Sequence, residues 1–85
     1  MKKYVAVFRS RTDVLSFIED MKNKYAFAKT VPTPKQLKLG CGISAEFSPQ
    51  NLVIAKKLIL SGRYSSFYSL VLIEKQGTRT VSVKI

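Results

Sequence analysis

Gly42-Ile43-Ser44-Ala45-Glu46-Phe47-Ser48-Pro49 is the stretch whose reading decides the fold. Ile43, Ala45 and Phe47 alternate with Ser44 and Glu46, the period-two pattern of a short, half-buried strand. Ser48-Pro49 then starts a helix, with a capping hydroxyl followed by proline at the first helical position. With a strand over 43–47 the chain reads β-α-β-β-α-β with one more strand at its end. With a loop there, the order becomes β-α-β-α-β-β, a related two-layer sandwich. The alternation favours the first order. It predicts an α+β two-layer sandwich, both helices on one face of a mostly antiparallel sheet, with ferredoxin-like topology and an extra C-terminal hairpin strand.

Upstream, residues 3–9 are β-branched and aromatic and predict a central strand buried on both faces. Ser10 with Asp13 three residues on is a variant of the capping box and opens a helix. Val14, Leu15, Ile18 and Met21 fall at helical spacing, with Phe17 flanking, and Glu19, Asp20, Lys22 and Lys24 take the other face. The helix should end near Asn23, a residue that tolerates the left-handed conformation. Residues 25–31 form a second strand. Lys29 shares a face with Phe27 and Val31, which suits an edge. Pro32-Thr33-Pro34 stops the ladder, because neither proline has an N–H to donate. Residues 35–39 make one helical turn that Thr33 caps and Pro34 begins.

Downstream, Leu52, Ala55, Leu58 and Ile59 face a core, Val53 and Ile54 widen the stripe, and Lys56 and Lys57 point out. Gly62 stops the helix. Residues 66–74 form another buried strand, and Gln76-Gly77 a turn. Thr80 to Ile85 alternate and pair back as a hairpin strand.

Eighty-five residues make one domain, 1–85. Lys and Arg total 15 against 5 Asp and Glu, a formal charge of +10. Such a field attracts nucleic acid, an acidic membrane surface or an acidic protein. A single Cys allows no internal disulfide and suits a reducing cytoplasm. The apolar run from Tyr4 to Phe8 is too short for a signal peptide or a membrane span. There is no histidine, so a Cys–His or Ser–His nucleophile pair is excluded within the chain. The same poverty of ligands excludes a zinc site of the usual kind, and no Gly-rich nucleotide loop occurs. Neither a metal nor a cofactor is expected.

Cys41 is the candidate for chemistry. Gly40 and Gly42 strip side-chain cover from it and permit positive φ, and successive N–H groups in such a turn can form an anion-binding nest. Lys35 and Lys38 just upstream would lower the thiol pKa and favour the thiolate. Against this stands a plain structural role, a small buried thiol in a tight turn. Pro32, Thr33 and Pro34 rigidify the approach, and a long connection in so small a domain calls for a reason. Glu46 lies roughly 16 Å along the strand from Cys41, too far to serve as its base. An RNA-recognition sheet would set aromatics such as Tyr4 and Phe8 on its first strand and a basic-Gly-aromatic signature on its third. Residues 43–47 lack that signature. Arg63-Tyr64 with Phe67 and Tyr68 reads as entry to the core, with the polar ends reaching solvent.

Phe8-Arg9-Ser10, a helix, Val31-Pro32-Thr33-Pro34, Gly40-Cys41-Gly42 and then Phe47 form a pattern covering most of the chain. It resembles a family of small bacterial selenium/sulfur carrier-like proteins. Pro-Thr-Pro with Gly-Cys-Gly six residues beyond is the specific pair. The resemblance implies that Cys41 accepts a persulfide or selenium and passes it on. A sulfur or selenium donor protein, such as a cysteine desulfurase, and an acceptor protein would be the partners. It implies a carrier more than an enzyme. The chain is more basic than the resemblance leads one to expect, and it lacks the Cys-Pro-x-Pro helix start of other small sulfur carriers. The alternative is a small basic binding module for nucleic acid or an acidic protein, with Cys41 structural.

Overall fold

The structure is a computed structural model and describes residues 2–33, 42–74 and 79–83. The chain runs β1 (Lys2–Phe8), α1 (Arg11–Asn23), β2 (Ala28–Pro32), β3 (Ile43–Phe47), a 3-10 turn (Pro49–Asn51), α2 (Leu52–Leu60), β4 (Phe67–Glu74) and β5 (Arg79–Val83). Residues 43–47 are therefore a strand, and the alternative order with a loop there is set aside. The five strands form one sheet in the order β2-β3-β1-β4-β5, with every neighbouring pair antiparallel. Helix α1 carries the chain from β1 past β3 to the edge strand β2. Helix α2 carries it from β3 past β1 to β4.

Strand β1 is central because both its faces are apolar. Ala6 and Phe8 join the main core with Val14, Phe17 and Met21 of α1 and Ala55, Leu58 and Ile59 of α2. Successive strand residues point to opposite faces. Val5 and Val7 thus turn away from the helices, where they meet Val71, Val31 and Ile73 in a smaller cluster. Phe8 lies among three rings, its centroid 5.3 Å from Phe17, 5.5 Å from Tyr64 and 5.7 Å from Phe67. Phe17, expected only to flank the stripe, is its centre, and Leu15 is largely exposed instead. Val53 likewise faces solvent and does not widen the stripe of α2. Each helix buries a stripe about a third of its circumference, and a run of apolar residues overfills it.

Both helix starts fall where expected, without the expected caps. Ser10 and Ser48 are extended N-caps, but neither side chain caps. Asp13 is used for tertiary structure: its carboxylate accepts from the backbone N–H and the hydroxyl of Ser66, and the Ser66 hydroxyl accepts from the Ser10 N–H at 3.0 Å. This ties the start of α1 to the start of β4.

The C-terminus of α1 differs from expectation in a second way. Asn23 is the last helical residue, and the left-handed residue is Tyr25, at φ 59°. The Tyr25 N–H donates to Lys22 O at 2.9 Å and the Ala26 N–H to Met21 O at 2.9 Å, the two bonds of a Schellman motif. Glycine normally fills that position, since a Cβ there costs about 1–2 kcal/mol. Glycine's freer unfolded chain takes back roughly 0.4–1 kcal/mol. Tyr25→Gly should therefore raise stability by about 0.5–1 kcal/mol, and Tm by a few degrees, in a calorimetric comparison.

Tyr64 is buried, and its hydroxyl donates to Asp20, which also meets Arg63 Nε at 3.2 Å. Burial first, then the hydrogen bond to Asp20, push the phenol far above its usual value. The folded state thus keeps a proton that the unfolded chain gives up near pH 10, about the ordinary tyrosine value. This contribution to stability is complete below pH ~10 and is lost as pH rises beyond it. In urea titrations the wild-type midpoint should fall above pH ~10 more steeply than that of Tyr64→Phe. At neutral pH the variant should lose about 1 kcal/mol for the missing hydrogen bond.

Candidate functional site

The candidate site lies at the loop end of the β2–β3 hairpin. The register runs from Ala28↔Phe47 to Pro32↔Ile43, so the ladder reaches Pro32, one residue further than the sequence suggested. An edge strand tolerates this, because a residue without an N–H need not break the sheet interior there. One more bond follows, from the Thr33 N–H to Gly42 O at 3.0 Å. The side-chain oxygens of Thr33 and Ser44 lie 2.8 Å apart, and Ser44 is fully buried. The hairpin end is therefore held twice, once by backbone and once by hydroxyls.

Of the residues singled out in the sequence, Pro32, Thr33 and Gly42 are brought together here. Pro34, Lys35, Lys38, Gly40 and Cys41 belong to residues 34–41, outside the described residues. Cys41 immediately precedes Gly42 in the chain. Gly42 itself departs from expectation. Among the described glycines only Gly62 has positive φ, and a Cβ on Gly42 would meet nothing within 4 Å. The left-handed freedom of glycine is used at Gly62, at the end of α2, and not at Gly42.

Ser44 was missed. Alternation puts it opposite Ala45, on the face expected to be wet, but no pattern of alternation tells whether that face is covered. Glu46 is paired with Lys29 across the strands at 3.7 Å, on the same side of the sheet. It holds a strand position, as expected, and such an exposed pair contributes little.

Tyr4 and Phe8 do not form an aromatic platform. Tyr4 stacks on Phe47 with centroids 5.8 Å apart, and Phe8 is buried under the helices. Both belong to the helix side of β1, and Val5 and Val7 on its other side are themselves buried, so this strand offers no aromatic face to a base. Arg9 lies 5.2 Å over the Tyr68 ring. Among the described residues no group of three or more His, Cys, Asp or Glu could hold a metal ion, and no helix is long and apolar enough to cross a membrane.

The described frame is an α+β domain whose edge hairpin closes, through Thr33, Gly42 and Ser44, on a connection that carries the lone thiol. Residues 3–68 match the model of the family described as "Putative Se/S carrier protein-like", and the chain belongs to that family. The matched span includes the whole hairpin and Cys41 and ends just inside β4. No curated protein and no solved structure matches the chain.

The hairpin end yields a prediction. Gly42→Ala, which needs neither positive φ nor space, should change unfolding free energy by no more than about 0.5 kcal/mol. Ser44→Ala, which strips a buried hydroxyl partner from Thr33, should cost roughly 1 kcal/mol or more in the same urea titrations.

Proposed function

We propose that the protein is a sulfur or selenium carrier and that Cys41 is the accepting group. The observation that carries this reading is the family match, which spans Cys41 and both arms of the hairpin around it. The Cys41 thiolate attacks the outer sulfur of a donor persulfide. The donor's S–S bond breaks, a new S–S bond forms on Cys41, and the donor leaves as a thiolate. The exchange is redox-neutral and needs no cofactor. A nucleophile on the acceptor protein then takes the terminal sulfur and returns Cys41 to its thiolate. Lys35 and Lys38 supply the positive charge that keeps both sulfur anions ionised, and they dock an acidic donor. Pro32, Thr33, Pro34 and Gly40 set the course of the connection, and Gly42 contributes the carbonyl that accepts from the Thr33 N–H. The protein acts as a stoichiometric carrier in a reducing cytoplasm. We further assign its two split β-α-β units, with sheet order β2-β3-β1-β4, to the ferredoxin-like class, β5 being the added hairpin strand.

Mass spectrometry after incubation with a cysteine desulfurase and cysteine tests the reading. The intact chain should gain the mass of one sulfur atom, removable by reductant and absent from Cys41→Ser. If Cys41 gains no sulfur and alkylates slowly across the pH range, the thiol is structural and the basic-module alternative stands.

A further inference from the structure

We propose that the end of α1 and the entry to β2 form a docking surface for an acidic segment of a partner protein, which inserts an apolar side chain between Tyr25 and Phe27. The inference does not rest on the chemistry of Cys41. Tyr25 takes the left-handed position where glycine would be cheaper, yet its ring does nothing for the fold, being 99% exposed. Phe27 is 75% exposed, while its carbonyl accepts from Asn51 Nδ2 at 3.5 Å. Ala26 and Ala28 alternate with these residues and join the core, while the two rings stand in solvent. A cavity of about 450 Å³ lies there, lined by Ile18, Lys22, Tyr25, Ala26, Phe27 and Ala28. A second, of about 490 Å³, is lined by Lys24, Ile54, Lys57, Leu58 and Ser61.

The two cavities together present Lys22, Lys24 and Lys57 and no acidic residue. This charge selects the occupant. A second copy of this chain, itself at +10, is repelled. Apart from Lys22 the first cavity is lined by apolar groups, Ile18, Ala26, Ala28 and the two rings, which suits an inserted apolar side chain. Exposed aromatics beside charged side chains are how interfaces place a few anchoring residues inside a polar rim.

Nuclear magnetic resonance titration of the intact chain tests this, with a short peptide probe carrying a central Phe-Leu pair flanked by glutamates. Amide shifts should concentrate on residues 18–28 and around Lys57, and should weaken with salt. Tyr25→Gly, which leaves the fold at least as stable, and Phe27→Ser should each weaken binding roughly tenfold or more. Replacing the probe's Phe-Leu by Ala-Ala, or its glutamates by glutamines, should do the same. The proposal is overturned if the shifts fall elsewhere, or if Tyr25→Gly binds as the wild type does. It is also overturned if an oligouridine probe moves the same amides with the higher affinity.

Discussion

The packing of Phe8 against Phe17 is the contact on which the two layers depend. Phe8 stands at the end of the central strand and Phe17 in the middle of α1, so their 5.3 Å approach fixes the helix on the sheet. Each ring then reaches outward. Phe17 lies 5.5 Å from Tyr64 and 6.1 Å from Phe47, and Phe8 meets Phe67 at the head of β4. Three strands, α1 and the segment after α2 are thereby joined through one set of edge-to-face and tilted rings, the geometries that aromatic quadrupoles favour. Small residues make room for them. Ala6 pairs with Ala45 in the sheet, and Ala55 is the small buried residue of α2. Large side chains set over small ones give a core its density without strained rotamers.

That arrangement explains which parts of the fold were legible in the sequence. Most strand positions were, because period-two alternation over five to eight residues leaves few competing readings; residues 43–47 were read to their boundaries, whereas the strand read over 25–31 begins only at Ala28, since Tyr25 and Ala26 still close the end of α1. Helix faces were less legible. Val14, Leu15, Phe17, Ile18 and Met21 fit more than one helical stripe, and only the partner ring of Phe8 selects the stripe centred on Phe17. Local polar signals misled for a related reason. Ser10 and Asp13 form a cap-like pair in sequence, but the backbone and hydroxyl of Ser66, 53 residues from Asp13, compete for the same carboxylate. A cap is a local solution, and tertiary contact offered a better one. Tyr25 was beyond reach altogether, since its backbone energy alone argues for glycine.

The candidate site divides along the same line. That the segment from Pro32 to Gly42 joins two strands could be read from its prolines, its glycines and the strands on either side. How the strands are fastened there could not. Thr33 and Ser44 are separated by eleven residues and meet only because the register sets Pro32 against Ile43. Ser44 is buried beside a sheet face whose Val5, Val7 and Val71 are also buried, and alternation predicts faces without predicting their cover.

Charge ties the site to the rest of the molecule at two ranges. Of the five acids, Asp13, Asp20 and Glu46 are engaged by neighbouring side chains, by Ser66, by Tyr64 with Arg63, and by Lys29. Fifteen basic residues against five acids leave a strong positive field around the molecule. At cellular ionic strength the reach of any one charge is roughly 8 Å. On the proposed reading Lys35 and Lys38, six and three residues before Cys41 in the chain, are the cations that would ionise its thiol. The wider field acts on approach instead, by raising the rate at which acidic surfaces arrive. On the proposed carrier reading the sulfur must be ionised and two partners met in turn, and in a chain without a histidine both tasks would fall to its lysines.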